Sequence, residues 1–318
     1  LNYLFCLDQN YNKQLLISLN SINTHSETKF NVFIIHNEPS SLLDLINEHN
    51  ITFDKVNNFQ VFKYSQNSYV FPNLENNHIS EATYYRFFID DYIKEDLDCL
   101  IYLDCDILCL NNPEYILKEI ITKLENSNFA IAASTEYVHT PETSELFNRL
   151  NLSSNNYFNA GVIVINYRFW KSQGLGQKLL NAMDEIYEKV NFWDQDILNY
   201  VIDGNYLSIS NNLNFSAPVG KESNIIDLRS VIFLHFAGSN KPWSIEGTLQ
   251  SISDEFHKNY SILFSNPYFL VINYRKKALF ELVKNLINLK ILKLESPLKF
   301  IIEVFKALKK WKKFLKFI

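Results

Sequence analysis

Apolar runs of strand length alternate with segments of helical spacing from the start of the chain. Residues 3–7 form a short apolar run, residues 15–22 repeat leucine and isoleucine at helical spacing, and residues 32–35 form a second apolar run. Such alternation is typical of a mostly parallel sheet covered by helices on both faces. Ligands bind these sheets at the carboxyl ends of the strands. The polar residues that end each run are therefore the first candidates for chemistry.

The same alternation continues towards the C-terminus. We expect a short third strand at residues 61–62 and later strands over 99–103, 129–133, 162–165 and 231–234, with helices that begin at Ser40, Ser80 and Phe192.

Composition excludes several classes of protein. Apolar residues make up 47% of the 318 residues and charged residues 20%, as in folded globular proteins rather than disordered chains. There is no G-x-G-x-x-G segment and no Walker motif. The four cysteines lie on apolar runs without the paired spacing of a zinc site, which predicts buried thiols in a reducing compartment.

Charge is distributed unevenly along the chain. Residues 1–269 hold 17 of the 30 basic and 32 of the 35 acidic residues, a net charge of −15, whereas residues 270–318 have a net charge of +10. We therefore predict two parts that meet different surroundings, an acidic domain over residues 1–269 and a basic helical tail over residues 270–318.

The last 21 residues have the pattern of an amphipathic helix in a membrane interface. This predicts an anionic membrane surface as a partner of the tail; the alternative is a helix packed on its own domain. A nucleic-acid partner is disfavoured, since the acidic body would repel phosphate. Without a spanning segment or a signal-peptide pattern, we expect a cytoplasmic protein on the inner face of the cell membrane. The apolar positions are Ile301, Val304, Leu308, Trp311, Leu315 and Ile318.

Asp104 and Asp106 directly follow the predicted strand 99–103. Residues two apart on extended backbone point to the same side, so the two carboxylates can converge on one cation. A D-x-D tripeptide is also common in surface turns. His235 likewise follows a predicted strand and offers a third ligand, and the combination of carboxylate with imidazole favours Mn²⁺, with Mg²⁺ as the alternative. Nearby, Gly238 lets backbone approach a ligand, and Lys241 can neutralise a phosphate.

Several motifs together resemble glycosyltransferase family 8, and most closely its bacterial lipooligosaccharide α-galactosyltransferases. They occur in the order and approximate spacing of that family over nearly the whole chain. They are D-Q-N-Y at residues 8–11, S-E-A-T-Y-Y-R at 80–86, Y-L-D-C-D at 102–106, Y-F-N-A-G-V at 157–162, W-D-Q-D-I-L-N at 193–199 and H-F-A-G-S-N-K-P-W at 235–243.

The resemblance implies a GT-A fold, which is a Rossmann-like α/β fold, and a UDP-hexose donor that carries galactose or glucose. It further implies transfer with retention of anomeric configuration to a saccharide acceptor. A lipid-linked acceptor of lipooligosaccharide synthesis is favoured over a protein-linked glycan. The implied residues are Asp104, Asp106 and His235 for Mn²⁺; Cys6, Asp8, Asn10, Tyr11, Cys105, Gly238 and Lys241 for the nucleotide; Arg86, Asp104, Asn159, Ala160, Asp194 and Gln195 for the donor sugar; and His78 and Tyr11 for the acceptor.

Asp194 and Gln195 are the implied catalytic residues. Because the neutral amide of Gln195 is a poor nucleophile, we expect same-face attack, in which the departing phosphate oxygen takes the acceptor's proton. The chain departs from the family at Cys6, at Glu136 and over residues 213–220. Two other classes stay open from the residues alone, a metal-dependent phosphohydrolase and a non-catalytic membrane-binding module.

Overall fold

The computed structural model describes residues 1–66, 68–74, 80–219, 227–238 and 241–314, with side chains to residue 310. By internal contacts the chain divides into two compact units. The first is Leu1–Phe215 with Arg229–Leu234, and the second is Ser216–Leu228 with His235–Ile318. The functional division at residue 269 stays a prediction.

The described strands and helices follow one another in the alternating order expected. The strands are β1 (Asn2–Leu7), β2 (Phe30–His36), β3 (Val56–Lys63), β4 (Cys99–Leu103), β5 (Ile107–Cys109), β6 (Ile131–Val138), β7 (Asn156–Asn166), β8 (Leu207–Ser208), β9 (Phe215–Ser216) and β10 (Phe233–His235). The helices are α1 (Asn12–His25), α2 (Pro39–Glu48), α3 (Ile89–Tyr92), α4 (Glu114–Glu125), α5 (Ser144–Leu150), α6 (Tyr167–Ser172), α7 (Leu175–Glu185), α8 (Trp193–Ile202), α9 (Ile245–Thr248), α10 (Asp254–Phe264), α11 (Arg275–Ile287) and α12 (Pro297–Phe314).

The main sheet has the strand order β3-β2-β1-β4-β7-β6-β8. Its pairs are parallel except that β7 runs antiparallel to both β4 and β6. The predicted mostly parallel α/β sheet is confirmed. The reversed strand was not predicted, because an apolar run buried on both faces looks the same in either direction.

Three strands are longer than their apolar runs suggested. β3 has eight residues rather than two, because its residues are mostly half-buried and interrupt the apolar pattern. β6 continues through Glu136, and β7 begins at Asn156. Asn159 and Ala160 therefore lie within β7, not ahead of it.

All four cysteines are buried and free of disulfides, as predicted. Burial raises the pKa of each thiol, that of Cys99 to about 12. These thiols stay protonated and unreactive near neutral pH.

In the second unit, α12 contributes to a hydrophobic core. Phe300, Val304 and Leu308 are buried in one cluster with residues of α11, and Ile301 packs against it. The prediction that this face lies in a membrane is therefore wrong for Val304 and Leu308, and the alternative of a docked helix holds for them. The side chains of Trp311, Leu315 and Ile318 lie outside the described residues. Among the helices that the structure describes, none combines the length and apolarity needed to cross a bilayer.

Candidate active site

Asp104 and Asp106 lie in the tight turn that joins β4 to β5. The amide of Asp104 donates to the carbonyl oxygen of Gly161 on neighbouring β7 at 2.9 Å, which anchors the start of the turn. β5 pairs with β10 in a three-stranded sheet, and His235 is the last residue of β10. One ligand atom from each of Asp104, Asp106 and His235 lies within 4.8 Å of the other two. The three predicted metal ligands are thus brought together.

This arrangement fits a single divalent cation. Ligands on opposite sides of one such ion are about 4–5 Å apart, which matches the spread of these atoms. Two carboxylates and an imidazole are a donor set common for Mn²⁺ and related ions. Asp106 and His235 are buried, and a cation would offset the repulsion between the two acids.

Arg86 is a buried cation that connects the two halves of the site. It lies on the 3-10 helix Glu81–Phe88, and its side chain is only 4% exposed. Its guanidinium donates to Asp104 Oδ1 at 3.0 Å and to the carbonyl oxygen of Ala160 at 2.7 Å. It also forms an ion pair with Asp194, with 3.1 Å between Arg86 Nε and Asp194 Oδ2. One group therefore sets the orientation of a predicted metal ligand and of a predicted catalytic carboxylate.

Two hydroxyl groups that the sequence analysis missed complete this network. Tyr102 donates to Asp104 Oδ1 at 2.7 Å and also accepts from Arg86. Thr83 donates to Asp194 Oδ1. The spacing of both residues in the sequence could have indicated their place in the site. Tyr102 precedes Asp104 by two residues on a strand and Thr83 precedes Arg86 by three on a 3-10 helix, and these spacings place side chains on the same side.

Asp194 is buried at the start of α8, and its pKa is raised to about 6. Burial is the largest cause, and Asp104 adds repulsion, while Arg86 and Thr83 oppose the rise. A carboxylate with a raised pKa favours the protonated form in the folded protein. The protonated carboxyl group of Asp194 thus stabilises the folded protein at pH values below its unfolded pKa, which is near 4. This stabilisation is lost as the pH rises through about 6.

We predict that Asp194→Asn changes the pH dependence of stability. Asparagine cannot ionise, so between pH 4 and pH 7 the variant should gain on the order of 2 kcal/mol relative to the native metal-free protein. Urea unfolding at several pH values measures the difference, and the exposed Asp44→Asn variant serves as control. If the free energy of unfolding changes with pH in the same way in Asp194→Asn and in the native protein, the Asp194 carboxylate does not titrate between pH 4 and pH 7.

Gln195 and Asn159 are held by hydrogen bonds around β7. Gln195 Oε1 accepts from the amide of Ala160 at 2.9 Å, and Asn159 Oδ1 accepts from the amide of Gly161 at 2.9 Å. Their amide nitrogens both donate to Glu136 Oε2, at 3.0 and 3.1 Å. Three of the residues predicted for the donor sugar, namely Ala160, Asp194 and Gln195, are thus joined to Arg86 or to one another by direct contacts. Asn159 is joined to Gln195 through Glu136.

The backbone that leads into α8 is strained. Trp193 has φ = 48°, a conformation that bulky residues rarely adopt. Its indole nitrogen donates to the carbonyl oxygen of Asn73 at 2.9 Å, and Asn73 Nδ2 donates to the carbonyl oxygen of Asn191 at 2.7 Å. Strain retained next to Asp194 and Gln195 is typical of a functional site.

Asp196, the second acid of the W-D-Q-D motif, has a different role from Asp194. It is fully buried and pairs with Arg149 at 2.8 Å. It also accepts from the hydroxyl of Tyr157 at 2.7 Å and from the amides of Asn191 and Phe192 at 2.7 and 2.8 Å. These contacts hold the segment before α8 in place, so Asp196 is a structural residue.

Three of the residues predicted to hold the nucleotide, Asp8, Asn10 and Tyr11, follow β1. Asp8 Oδ1 accepts from the amide of Asn10 at 2.8 Å and caps the 3-10 helix Gln9–Tyr11. β1 pairs with β4, so this helix and the Asp104 turn follow neighbouring strands. Cys6 and Cys105 are buried, and burial raises the pKa of Tyr11. The uridine-binding role of these residues stays a prediction.

The second unit contains Gly238 and Lys241. Gly238 has φ = 81°, a conformation that favours glycine, and a Cβ there would meet no atom of the described residues within 4 Å. Lys241 Nζ donates to the carbonyl oxygen of Phe236 at 2.8 Å. Their contact with a diphosphate stays a prediction. His78 lies outside the described residues.

A largely parallel α/β sheet with an Asp-Asp-His cluster formed after β4 and at the end of β10 is compatible with a nucleotide-sugar transferase. The family model described as Glycosyl transferase family 8 matches residues 2–247. The chain belongs to glycosyltransferase family 8.

Individual relatives agree with this assignment. A putative glycosyltransferase of Haemophilus influenzae is 28% identical over 76% of this chain and 73% of its own length. A lipopolysaccharide 1,3-galactosyltransferase of Salmonella typhimurium is 29% identical over 51% of this chain, and a lipopolysaccharide 1,2-glucosyltransferase of Escherichia coli is 28% identical over 57%. The chain spans about half the length of these two lipopolysaccharide enzymes, 49% and 55%.

Solved structures support the fold. The galactosyltransferase LgtC, crystallised with donor and acceptor sugar analogues, superposes with a TM-score of 0.67 at 21% identity, over 83% of this chain and 96% of LgtC. The predicted GT-A fold is confirmed.

Proposed function

We propose that the protein is a retaining hexosyltransferase that moves galactose or glucose from a UDP-sugar to a saccharide acceptor and uses Mn²⁺. The observation that carries this proposal is the Asp104, Asp106 and His235 cluster beside the buried Arg86–Asp194 pair, within a family 8 domain. A divalent cation bound by these three residues would stabilise the negative charge of a departing diphosphate.

The chain's own residues supply the remaining requirements. Arg86 stays positively charged, keeps Asp194 oriented and limits the rise of its pKa. When ionised, Asp194 can accept hydrogen bonds from sugar hydroxyls and stabilise positive charge that develops at the anomeric carbon. Gln195, the next residue, is held by its contact with Ala160 and would lie near the anomeric carbon.

We propose a glycan of lipopolysaccharide or lipooligosaccharide synthesis as the acceptor. The named functions of the Salmonella and Escherichia relatives support this choice. A protein-linked glycan is the alternative acceptor, and it requires the same donor chemistry.

A donor screen tests the proposed activity. The purified protein is incubated with UDP-galactose, UDP-glucose and UDP-N-acetylglucosamine, with and without Mn²⁺, and released UDP is measured. We expect release from UDP-galactose or UDP-glucose that depends on Mn²⁺. Equal hydrolysis of unrelated phosphate esters would indicate a phosphohydrolase, and no release from any donor would indicate a non-catalytic module.

We also propose that the second unit binds an anionic membrane surface through exposed faces of α11 and α12. Phe280, Val283 and Ile287 on α11 are 70%, 52% and 74% exposed. On α12 the exposed apolar residues are Leu298, Ile302 and Phe305. These six residues, termed the α11–α12 apolar face, recur at helical spacing on the sides opposite the buried Leu282 and Val304.

Exposed lysines lie on α12 and on the 3-10 helix Lys290–Lys293 that precedes it. Residues 270–318 have a net charge of +10, and Lys290, Lys293, Lys299 and Lys309 are among the exposed residues. Each lysine near an anionic leaflet contributes about 1 kcal/mol of attraction. Exposed apolar side chains combined with positive charge fit the inner face of a bacterial cell membrane, where we propose that the protein is located.

Truncation after Ser296 would remove α12 and is not a clean test of membrane binding. The truncation would also delete Phe300, Val304 and Leu308 from the core of the second unit. Substitution of exposed residues separates binding from folding.

We predict that the triple variant Phe280→Ser, Ile302→Ser and Phe305→Ser loses membrane affinity. Each apolar side chain that leaves the bilayer costs about 1.5–3 kcal/mol, so binding should fall at least tenfold. Co-sedimentation with vesicles of phosphatidylglycerol and phosphatidylcholine measures it. Val70→Ser, at a residue that is 73% exposed in the first unit, is the control. Native affinity in the triple variant would refute this docking face, and donor hydrolysis should be unchanged throughout.

A further inference from the structure

Glu136 stands at a position that neither the fold nor the cation cluster requires. It lies in the outer part of β6, and its side chain is exposed, so it does not contribute to the core. Its Oε2 atom nevertheless accepts two hydrogen bonds, from Gln195 Nε2 at 3.0 Å and from Asn159 Nδ2 at 3.1 Å. One carboxylate oxygen from β6 thus connects α8 with β7.

The oxygen atoms of the same two side-chain amides also accept hydrogen bonds. Gln195 Oε1 accepts from the backbone amide of Ala160. Asn159 Oδ1 accepts from the backbone amide of Gly161 and from Asn214 Nδ2, at 2.9 and 2.8 Å. Each side-chain amide is therefore held at its oxygen by N–H donors and at its nitrogen by Glu136.

A carboxylate is the group that makes this orientation unique. An ionised carboxylate only accepts hydrogen bonds, so it cannot face an amide oxygen without repulsion. A 180° rotation of the Gln195 amide would place Oε1 against Glu136 and its NH₂ group against the N–H of Ala160. Both contacts would be lost at once, and the reversed orientation is disfavoured.

We infer that Glu136 is a positioning residue that holds the Gln195 and Asn159 amides in a single orientation towards the donor sugar. The inference rests on the proposed function, because it gives these amides a role at the sugar. An amide that flips exchanges an acceptor for a donor at the same point, which would break any hydrogen bond to a sugar hydroxyl. Glu136 acts through its two partners, and its own contact with substrate is not required.

The kinetic test compares Glu136→Ala and Glu136→Gln with the exposed control Glu48→Ala. Misplacement of a group by about 1 Å can lower the rate up to about 100-fold, so Glu136→Ala should lower kcat for donor hydrolysis by about 10- to 100-fold. Glu136→Gln keeps one acceptor oxygen without the charge and should show an intermediate loss. Affinity for UDP alone should be unchanged in both variants. Native kcat in Glu136→Ala would overturn the inference.

A double-variant cycle asks whether Glu136 acts through Gln195. In a Gln195→Ala background, adding Glu136→Ala should cost much less than it costs in the native background, because the partner is already absent. An equal fold-loss in both backgrounds would mean that Glu136 acts directly, which contradicts a positioning role.

A spectroscopic test does not depend on activity, so it distinguishes failure of this inference from failure of the proposed function. The side-chain amide resonances of Gln195 are identified in ¹⁵N spectra by their loss in Gln195→Ala. Glu136→Ala should shift these resonances and leave those of Gln177 unchanged, since Gln177 donates to Asn181 on the surface of α7. Unchanged Gln195 resonances would overturn the inference even in an active enzyme.

Discussion

Asp106→Asn is expected to abolish donor hydrolysis while the metal-free protein keeps its fold. Asparagine has the shape of aspartate but lacks its charge, so the cation would be held by one carboxylate and one imidazole. A bound cation supplies several kcal/mol of charge stabilisation in such reactions, so the rate should fall by about 1,000-fold. Release of UDP at saturating Mn²⁺ measures the loss.

Thermal unfolding without metal separates a cation ligand from a structural acid. Asp106 is buried close to Asp104, and removal of one of two neighbouring negative charges relieves repulsion. The melting temperature of metal-free Asp106→Asn should therefore be unchanged or slightly higher. Added Mn²⁺ should raise the melting temperature of the native protein and not that of the variant. The exposed Asp184→Asn variant should resemble the native protein in all three measurements. Loss of folding in Asp106→Asn would mean that this acid is structural.

Asp196→Asn should have the opposite effect to Asp194→Asn, although the two residues belong to one motif. Asp196 is fully buried, with Arg149, Tyr157 and two backbone amides as donors. Asparagine would leave Arg149 without its ionic partner and place an NH₂ group among donors. Removing one partner of a buried ion pair costs about 3–5 kcal/mol.

Urea unfolding at pH 7 compares these two variants directly. The free energy of unfolding should fall by that amount in Asp196→Asn. It should stay equal or rise in Asp194→Asn, because Arg86 keeps Asp104 as an acidic partner and burial disfavours the charged form of Asp194. Donor hydrolysis should be lost in Asp194→Asn. If the two variants lose equal stability, the assignment of one residue to chemistry and the other to structure is wrong.

The core of the candidate site could be predicted from residue order. Asp104 and Asp106 follow an apolar strand of the main sheet, and His235 ends an apolar strand of the three-stranded sheet. Polar residues at strand ends are where ligands bind in α/β folds. The family motifs added Arg86 and Asp194, which the structure joins by an ion pair. The fold class followed from the alternation of strands and helices.

Contacts between distant segments could not be predicted in the same way. The network that joins Glu136, Asn159 and Gln195 depends on how far β6 and β7 continue past their apolar residues. Polar residues in those extensions look like loop residues, because only buried positions give the alternating signal of a strand.

The C-terminal helix shows a second limit. α12 has apolar residues on more than one side, with Val304 buried and Ile302 exposed. Amphipathic spacing identifies a helix, but it does not decide which apolar face meets the protein and which meets another surface. That choice depends on the rest of the second unit's core, to which α11 and the buried side of α12 both contribute.

The central claim is that Asp104, Asp106 and His235 bind one divalent cation, and anomalous X-ray scattering tests it most directly. Crystals grown with Mn²⁺ and UDP would be measured at the manganese absorption edge. We expect one strong peak within bonding distance of all three side chains. A protein with bound UDP but no manganese beside these residues, or with manganese bound elsewhere, would contradict the account.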